Sequence, residues 1–529
     1  MASTVAYFCM EFGLHEEFPI YAGGLGILAG DFIKSAHDLA FPVVAVGLRW
    51  GHGYSRQRIA EDGQPIDEFP SYKADFLEDT GVRVRVRVGT REVESRVWAT
   101  DRWGNAKLFL LEPAAPEDRW ITRRLYEPRM ECRVAQEILL GVGGVRALRK
   151  LGLDVETYHF NEGHAVFAGV EMVAERMAEG ETFAAAWATV RDQIVFTTHT
   201  PIPDGNEVHP LNELRRLGAA CELVDFEMRT LGGDPFNMTV AGLRLSRRAN
   251  AVSVLHAEVS QAMWRDVTGA SPIIPITNGV HVPTWQDPAI RSTAESRILL
   301  WQTHQALKTK LLAAVQSRTG TRFEADVLTI GFARRAAGYK RSDLIFHDRA
   351  RIEALLNGRQ LQLIFAGKAH PDDRHGKAIV ANLVAMARRW PESVVFVPDY
   401  DMALAQLLTR GVDVWLNNPV RPMEASGTSG MKAAHNGVLN LSVLDGWWPE
   451  ACQHGENGWA IGDGHEIEGG AAADADAESL YRVLEQEVLP AYADRDRWVE
   501  MMRASITTVQ ERFSSDRMVR QYFDELYAR

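Results

Sequence analysis

The chain has 529 residues, of which 46% are hydrophobic and 24% charged, and it carries a formal net charge of −12. At roughly 100–200 residues per domain this length implies two to four domains, and the composition excludes a disordered or fibrous chain. The acidic balance argues against nucleic acid as a partner, but leaves room for a local basic site that binds a small phosphate.

The first residues, Met1-Ala-Ser-Thr-Val-Ala-Tyr-Phe, have neither the basic stretch nor the apolar core of a signal peptide. No apolar run reaches the ~18 residues that a membrane span needs, so no membrane partner is expected. Cys9, Cys132, Cys221 and Cys452 lie far apart without CxxC spacing. They are expected to be reduced thiols of a cytoplasmic protein, with no disulfide framework and no metal site.

Short apolar runs alternate with longer amphipathic stretches, the pattern of parallel βαβ units. Near the start, Gly23-Gly24-Leu25-Gly26 and Gly30 lead into an apolar helix. Glycines there let backbone amides meet an anion at the helix N-terminus, although the spacing is not GxGxxG. Phe41 to Leu48 is a buried-strand candidate. Residues 82–111 interleave Val82, Val84, Val86, Val88, Val93 and Val97 with charged residues, which predicts half-exposed antiparallel strands in a β-rich insert.

Arg133 to Leu151 has helical spacing. His159-Phe-Asn161-Glu162-Gly-His164 suits a polar strand end better than zinc, because Gly163 interrupts any helix that would align the two histidines. A strand over Gln193–Thr198 delivers His199, suited to a hydroxyl or a main-chain carbonyl. Thr277-Asn278-Gly279-Val280-His281 and Trp285 fit either sugar recognition or a hinge, and the halves should divide near residues 274–281.

In the second half, four apolar runs begin at Asp326, Leu361, Ser393 and Gly411. Each ends in an unusual turn: Arg334-Arg335, Gly367-Lys368, Asp399-Tyr400 and Asn417-Asn418. In doubly wound sheets such turns converge on a ligand. Arg334-Arg335-Ala-Ala-Gly-Tyr339-Lys340-Arg341 concentrates cations after one strand, which favours phosphate binding over a solvated face. Glu424-Ala-Ser426-Gly427-Thr428-Ser-Gly-Met-Lys432 surrounds small residues with a carboxylate and a lysine. It suits either a seat for a phosphate-bearing carbonyl cofactor or a glycine-rich turn with an exposed lysine. The Ala/Asp-rich stretch 471–477 is expected to be a surface loop, and the tail from Arg497 an amphipathic helix that packs back on the first domain.

Together, and in this order, these motifs resemble the α-glucan phosphorylase family, from about Tyr7 to Trp448. The most specific piece is Glu424-Ala-Ser-Gly-Thr-x-x-Met-Lys432 with Asn436-Gly437 and Leu444-Asp445-Gly446. The resemblance implies an α/β protein of two Rossmann-like doubly wound domains facing across a cleft, the GT-B arrangement, with the β-rich insert in the N-terminal domain. The expected divisions are 1–275, 276–500 and a returning helix 501–529. The implied function is retaining phosphorolysis of α-1,4-glucans to glucose 1-phosphate, with pyridoxal 5'-phosphate as cofactor, and α-glucan and inorganic phosphate as partners. A homo-oligomer is compatible with this.

By the same resemblance Lys432 carries the cofactor, and Thr428, Lys340, Tyr400, Trp285 and Gly24 line its pocket. Arg335, Lys340, His199 and Arg334 form the catalytic set. Asn278, Glu424, Ser426, Gly427, Leu25 and His199 hold the glucosyl group. The cofactor phosphate relays a proton to inorganic phosphate, which explains why no conventional acid–base pair stands out. Several positions depart from the family pattern: Ala337-Gly338, Ser429-Gly430, Glu127-Pro128-Arg129 and His435. Two alternatives remain at this level: a GT-B transferase using a nucleotide-sugar donor, and a cofactor-retaining glucan-binding protein without turnover.

Overall fold

A computed structural model describes residues 4–465 and 470–529. The chain divides into two compact units, one of residues 1–54, 69–277 and 515–529, the other of residues 55–68 and 278–514.

The first unit is built on a nine-stranded sheet. Its order is Ile273–Pro275, Arg248–Ala251, Ile194–Thr197, Val155–Asn161, Thr4–Phe8, Val43–Leu48, Leu108–Pro113, Arg91–Thr100 and Glu78–Val88. The strands are parallel up to Leu108–Pro113, and the last two continue the same sheet antiparallel. The valine alternation is the cause. Val84, Val86 and Val88 are buried, while Arg83, Arg85 and Arg87 between them are partly or fully exposed, so this hairpin covers only one face. The helix Gly24–Asp38 lies close to the segment after the first strand, because Gly30 has no side chain. A Cβ at Gly30 would sit 2.1 Å from the Gly13 carbonyl oxygen.

The second unit has a six-stranded parallel sheet, ordered Val394–Val397, Leu361–Ala366, Leu328–Ala333, Val414–Asn417, Leu439–Val443 and Gly458–Ile461. Leu328–Ala333 and Leu361–Ala366 are buried at every residue, as strands covered on both faces must be. The helix Arg374–Arg389 shows how the covering layer is specified. The Asp373 side chain accepts the Gly376 N–H at its start, and Ile379, Val380, Leu383, Val384 and Met386 turn one stripe to the core.

Three boundaries differ from the sequence expectations. Residues 55–68, within the expected first domain, form a hairpin of Arg56–Ile59 and Pro65–Glu68 that belongs to the second unit. Gln57 exchanges hydrogen bonds with the backbone of Ala369, Lys377 pairs with Asp67, and Arg56 pairs with Asp399. The returning segment starts at Ser515, not 501, because the preceding helix Arg495–Arg512 buries Trp498, Met502 and Ile506 in the second core. From Ser515 on, Met518, Val519, Tyr522 and Leu526 join the first core. The stretch 471–477 lies in the helix Gly470–Val483, not a loop; alanine's helix propensity outweighs the interspersed aspartates. All four cysteines are free thiols.

Candidate active site

In the second unit the strand order reverses between Leu328–Ala333 and Val414–Asn417. Doubly wound sheets bind ligands beyond the carboxyl ends of the strands at such a switch point. Arg334 directly follows the first of these strands, and a 3-10 turn, Gly338–Lys340, brings Lys340 back. Both meet Glu424: Arg334 Nη2 donates to Glu424 Oε2 at 2.5 Å, and Lys340 Nζ donates to the same oxygen at 3.0 Å. The three side chains are only 5%, 10% and 11% exposed, so the charges face little water. Burial alone would raise the Glu424 carboxyl, but the Arg334 and Lys340 charges outweigh it and hold it at about 2. Two cations share one carboxylate, which leaves a net positive, nearly dry site. Arg334 Nη1 is buried with no hydrogen-bond partner among the described residues.

The small-residue segment seals this site. Gly427 takes a left-handed conformation, φ +79°, which glycine adopts without strain, and a Cβ there would lie in ordinary contact with Glu424 and with Arg334 Nη2. The helix Thr428–His435 begins directly afterwards with no side-chain cap, so its first amides are available to an anion. The Ser426 hydroxyl is buried and has no partner among the described residues. Lys432 is buried in the second turn of this helix, with Nζ 3.7 Å from the centroid of the fully buried Trp285 ring. Asn436 ties the two together, its Nδ2 donating to the carbonyls of Trp285 and Lys432 at 3.0 and 2.9 Å. Tyr400 is half-buried, and burial pushes its hydroxyl above the usual range against the nearby Arg334 charge.

The first unit has its own switch point, between Thr4–Phe8 and Val155–Asn161. Glu11 follows the first of these strands and accepts the backbone N–H groups of Ala22 and Gly23 at 2.6 and 3.2 Å, and the Tyr126 hydroxyl at 2.6 Å. Glu162 follows the other strand at φ +75° and accepts the His199 N–H at 2.9 Å and the Thr200 hydroxyl at 3.0 Å. His199 Nε2 pairs with Asn161 Oδ1 at 2.7 Å. Burial, assisted by His256 and His164, lowers His199 to about 3, so it is a neutral imidazole at pH 7 with a fixed orientation.

Glu137, Glu207 and His209 bring ligand atoms within 4.8 Å of one another. A guanidinium already holds the centre of this cluster. Arg133 Nε lies 2.9 Å from Glu207 Oε1 and 3.3 Å from Glu137 Oε1, supplying the positive charge that a metal would bring.

Comparison with known proteins bears on what these sites serve. The chain is 41% identical to a maltodextrin phosphorylase of Thermococcus litoralis, over 99% of this chain and 70% of that protein. The chain belongs to the carbohydrate phosphorylase family. The family's own model, described as carbohydrate phosphorylase, matches residues 290–457. A glycogen phosphorylase of Aquifex aeolicus is 38% identical over 99% of this chain and 86% of its own length. An uncharacterised protein of Methanocaldococcus jannaschii is 36% identical over 99% of both chains.

The phosphorylase-family match spans the segment that carries Arg334, Lys340, Tyr400, Glu424, Ser426, Gly427, Thr428 and Lys432. Arg334, Lys340 and Glu424 contact one another directly, and Gly427 adjoins Arg334. Arg335 is exposed. Asn278 is buried in the same unit. Gly24, Leu25 and His199 belong to the first unit; Gly24 is exposed, and Leu25 is half-buried against the first core. Sequence reasoning missed Glu11, whose only signal is a carboxylate just beyond the first strand, and it gave Asp445 no role.

Proposed function

We propose that this enzyme catalyses phosphorolysis of α-1,4-glucans, transferring the terminal glucosyl group to orthophosphate to give glucose 1-phosphate, with pyridoxal 5'-phosphate held at Lys432. The observation that carries this reading is the buried Arg334–Glu424–Lys340 cluster against the glycine-rich turn that starts the Lys432 helix. Close relatives named maltodextrin and glycogen phosphorylase support the substrate class.

The residues fit the cofactor. A buried Ser426 hydroxyl and a buried Arg334 nitrogen without partners among the described residues, with an uncapped helix start, suit a phosphate ester. Lys432, against the Trp285 ring, is shielded from water. When bound, pyridoxal phosphate supplies a second phosphate that relays a proton to orthophosphate.

The chain's own residues then have distinct tasks. Arg334 and Lys340 hold dianionic oxygens in a site of low polarity, where each charge acts strongly. Glu424 keeps both cations aligned before substrate arrives, and its oxygens are acceptors for glucosyl hydroxyls. Arg335, exposed and next in sequence to Arg334, is suited to capturing incoming phosphate. Asn278 is a candidate for a further sugar hydroxyl. In the first unit, the neutral His199 imidazole is fixed for a sugar hydroxyl, and the amides near Gly24 and Leu25 for an anion. In the transfer itself the glycosidic C1–O bond breaks, orthophosphate gives its proton to the departing oxygen, and a phosphate oxygen bonds to C1 on the same face.

Borohydride reduction of the pyridoxal-phosphate-loaded enzyme followed by peptide mapping tests this reading. Label on the Lys432 peptide, with phosphate-dependent glucose 1-phosphate formation from maltodextrin, is expected. Label elsewhere, or turnover that requires a nucleotide sugar, overturns it.

A further inference from the structure

The turn after the strand Leu439–Val443 carries a carboxylate that takes no part in the cation cluster. Asp445 is buried, 3% exposed. Its Oδ2 accepts the backbone N–H of Glu424 at 2.9 Å, and its Oδ1 accepts the N–H of Gly446 at 2.8 Å. Gly446 is left-handed, φ +59°, and a Cβ there would meet the Ser426 carbonyl oxygen at 2.4 Å. The next residue, Trp447, donates its N–H to that same oxygen at 2.9 Å. The turn 445–447 therefore grips the backbone of 424–426 at both ends.

We propose that Asp445 is a positioning residue for the phosphorolysis proposed above: it fixes the backbone from Glu424 to Gly427, and through it the direction of the Glu424 carboxylate and the Ser426 hydroxyl. The inference rests on that functional reading for its catalytic consequence, but its structural content stands alone. A carboxylate suits the task because both oxygens face N–H donors, and an ionised group accepts from both. An asparagine in the same place turns an NH2 group towards one of those donors. That removes one hydrogen bond and leaves a buried N–H unsatisfied.

The charged groups nearest to Asp445 are Glu424, whose backbone it holds, and Arg421, whose guanidinium donates to the Leu444 carbonyl. Burial, and then the Glu424 charge, push the Asp445 carboxyl up to about 7, against the two amide bonds and Arg421, which pull it down. The grip is therefore complete above neutrality and weakens below it.

The test compares wild type with Asp445→Asn, both loaded with pyridoxal phosphate. The variant is expected to lose about tenfold to a hundredfold in kcat, the effect of misplacing groups that act in the transition state. KM for maltodextrin should change by less than about threefold, and the acid limb near pH 7 should be absent. Amide hydrogen exchange of the 421–427 peptide should be at least about tenfold faster in the variant, with the strand 439–443 unchanged. Wild-type kcat with an intact acid limb, or unchanged exchange of 421–427, overturns the proposal. Should wild type form no glucose 1-phosphate while the exchange difference persists, the functional reading fails and the positioning role survives. If the variant does not fold, wild-type exchange decides: protection of the Glu424 and Gly446 amides should fall as pH drops through about 7, and flat protection overturns the proposal.

Discussion

Replacing Glu424 by glutamine removes the carboxylate charge that Arg334 and Lys340 share, while keeping the side-chain shape. The carboxyl is moved from 4.5 to about 2. This displacement corresponds to about 3 kcal/mol of differential interaction, in line with the roughly 3–5 kcal/mol lost when one partner of a buried ion pair is removed. A depressed carboxyl contributes stability that is fully present above its unfolded value and lost as pH falls through its folded value. At pH 7 the whole contribution is therefore in force, and Glu424→Gln should forfeit it. For a unit of this size each kcal/mol shifts Tm by roughly 2–4 °C, so calorimetry in phosphate-free buffer should show a fall of about 6–12 °C. The two cations left behind then lack a counter-anion. Orthophosphate at about a hundred times its Kd adds roughly 2.7 kcal/mol, and the midpoint of this stabilisation should lie at lower phosphate in the variant than in wild type. An unchanged Tm, or an identical phosphate dependence in both proteins, would refute the electrostatic reasoning.

Other perturbations probe the rest of the architecture. Asp413 is fully buried and accepts from His304 Nε2, Lys308 Nζ and the Thr329 N–H at 2.9, 2.5 and 2.7 Å; Asp413→Asn should cost about 3–5 kcal/mol in urea unfolding at pH 7. Burial would raise its carboxyl, but Lys308 and His304 lower it, so wild type should lose this advantage on acidification and the variant should have none to lose. His159 Nδ1 is paired with the Tyr527 hydroxyl at 2.7 Å; Tyr527→Phe strands a buried nitrogen and should destabilise the first unit by about 1–3 kcal/mol, measurable by denaturant titration. Burial and the Glu207 charge push Glu137 to about 8, so its contribution is present below its unfolded value and lost as pH rises through about 8. Glu137→Gln, which mimics the protonated form, should flatten the decline of Tm between about pH 4.5 and pH 8, and an equal decline in both proteins would contradict this.

Much of the second unit was legible because its strands are continuous apolar runs bounded by polar turns, a pattern that only doubly covered parallel strands need. Arg334, Glu424 and Lys432 stood out as candidates for a different reason: cations at a strand end, and small residues before a lysine, suit a phosphate-bearing ligand. The pairing of Arg334 with Glu424 was not legible. Consecutive residues leaving a strand point in opposite directions, and which one turns inward depends on the partner, Glu424, some 90 positions away. The hairpin 55–68 could not be assigned either, because Gln57, Asp67 and Arg56 reveal their allegiance only through Ala369, Lys377 and Asp399. Glu11 and Asp445 escaped for the same reason. Each is a lone acidic residue locally, and acquires its role from backbone N–H groups that the fold brings to it.

The most direct test of the functional account is phosphorus NMR of the pyridoxal-phosphate-loaded enzyme incubated with maltodextrin and orthophosphate. The account predicts growth of an α-glucose 1-phosphate resonance at the expense of orthophosphate, abolished in Lys432→Ala. Persistence of orthophosphate alone with fully loaded wild-type enzyme, or equal product formation by Lys432→Ala, would contradict it.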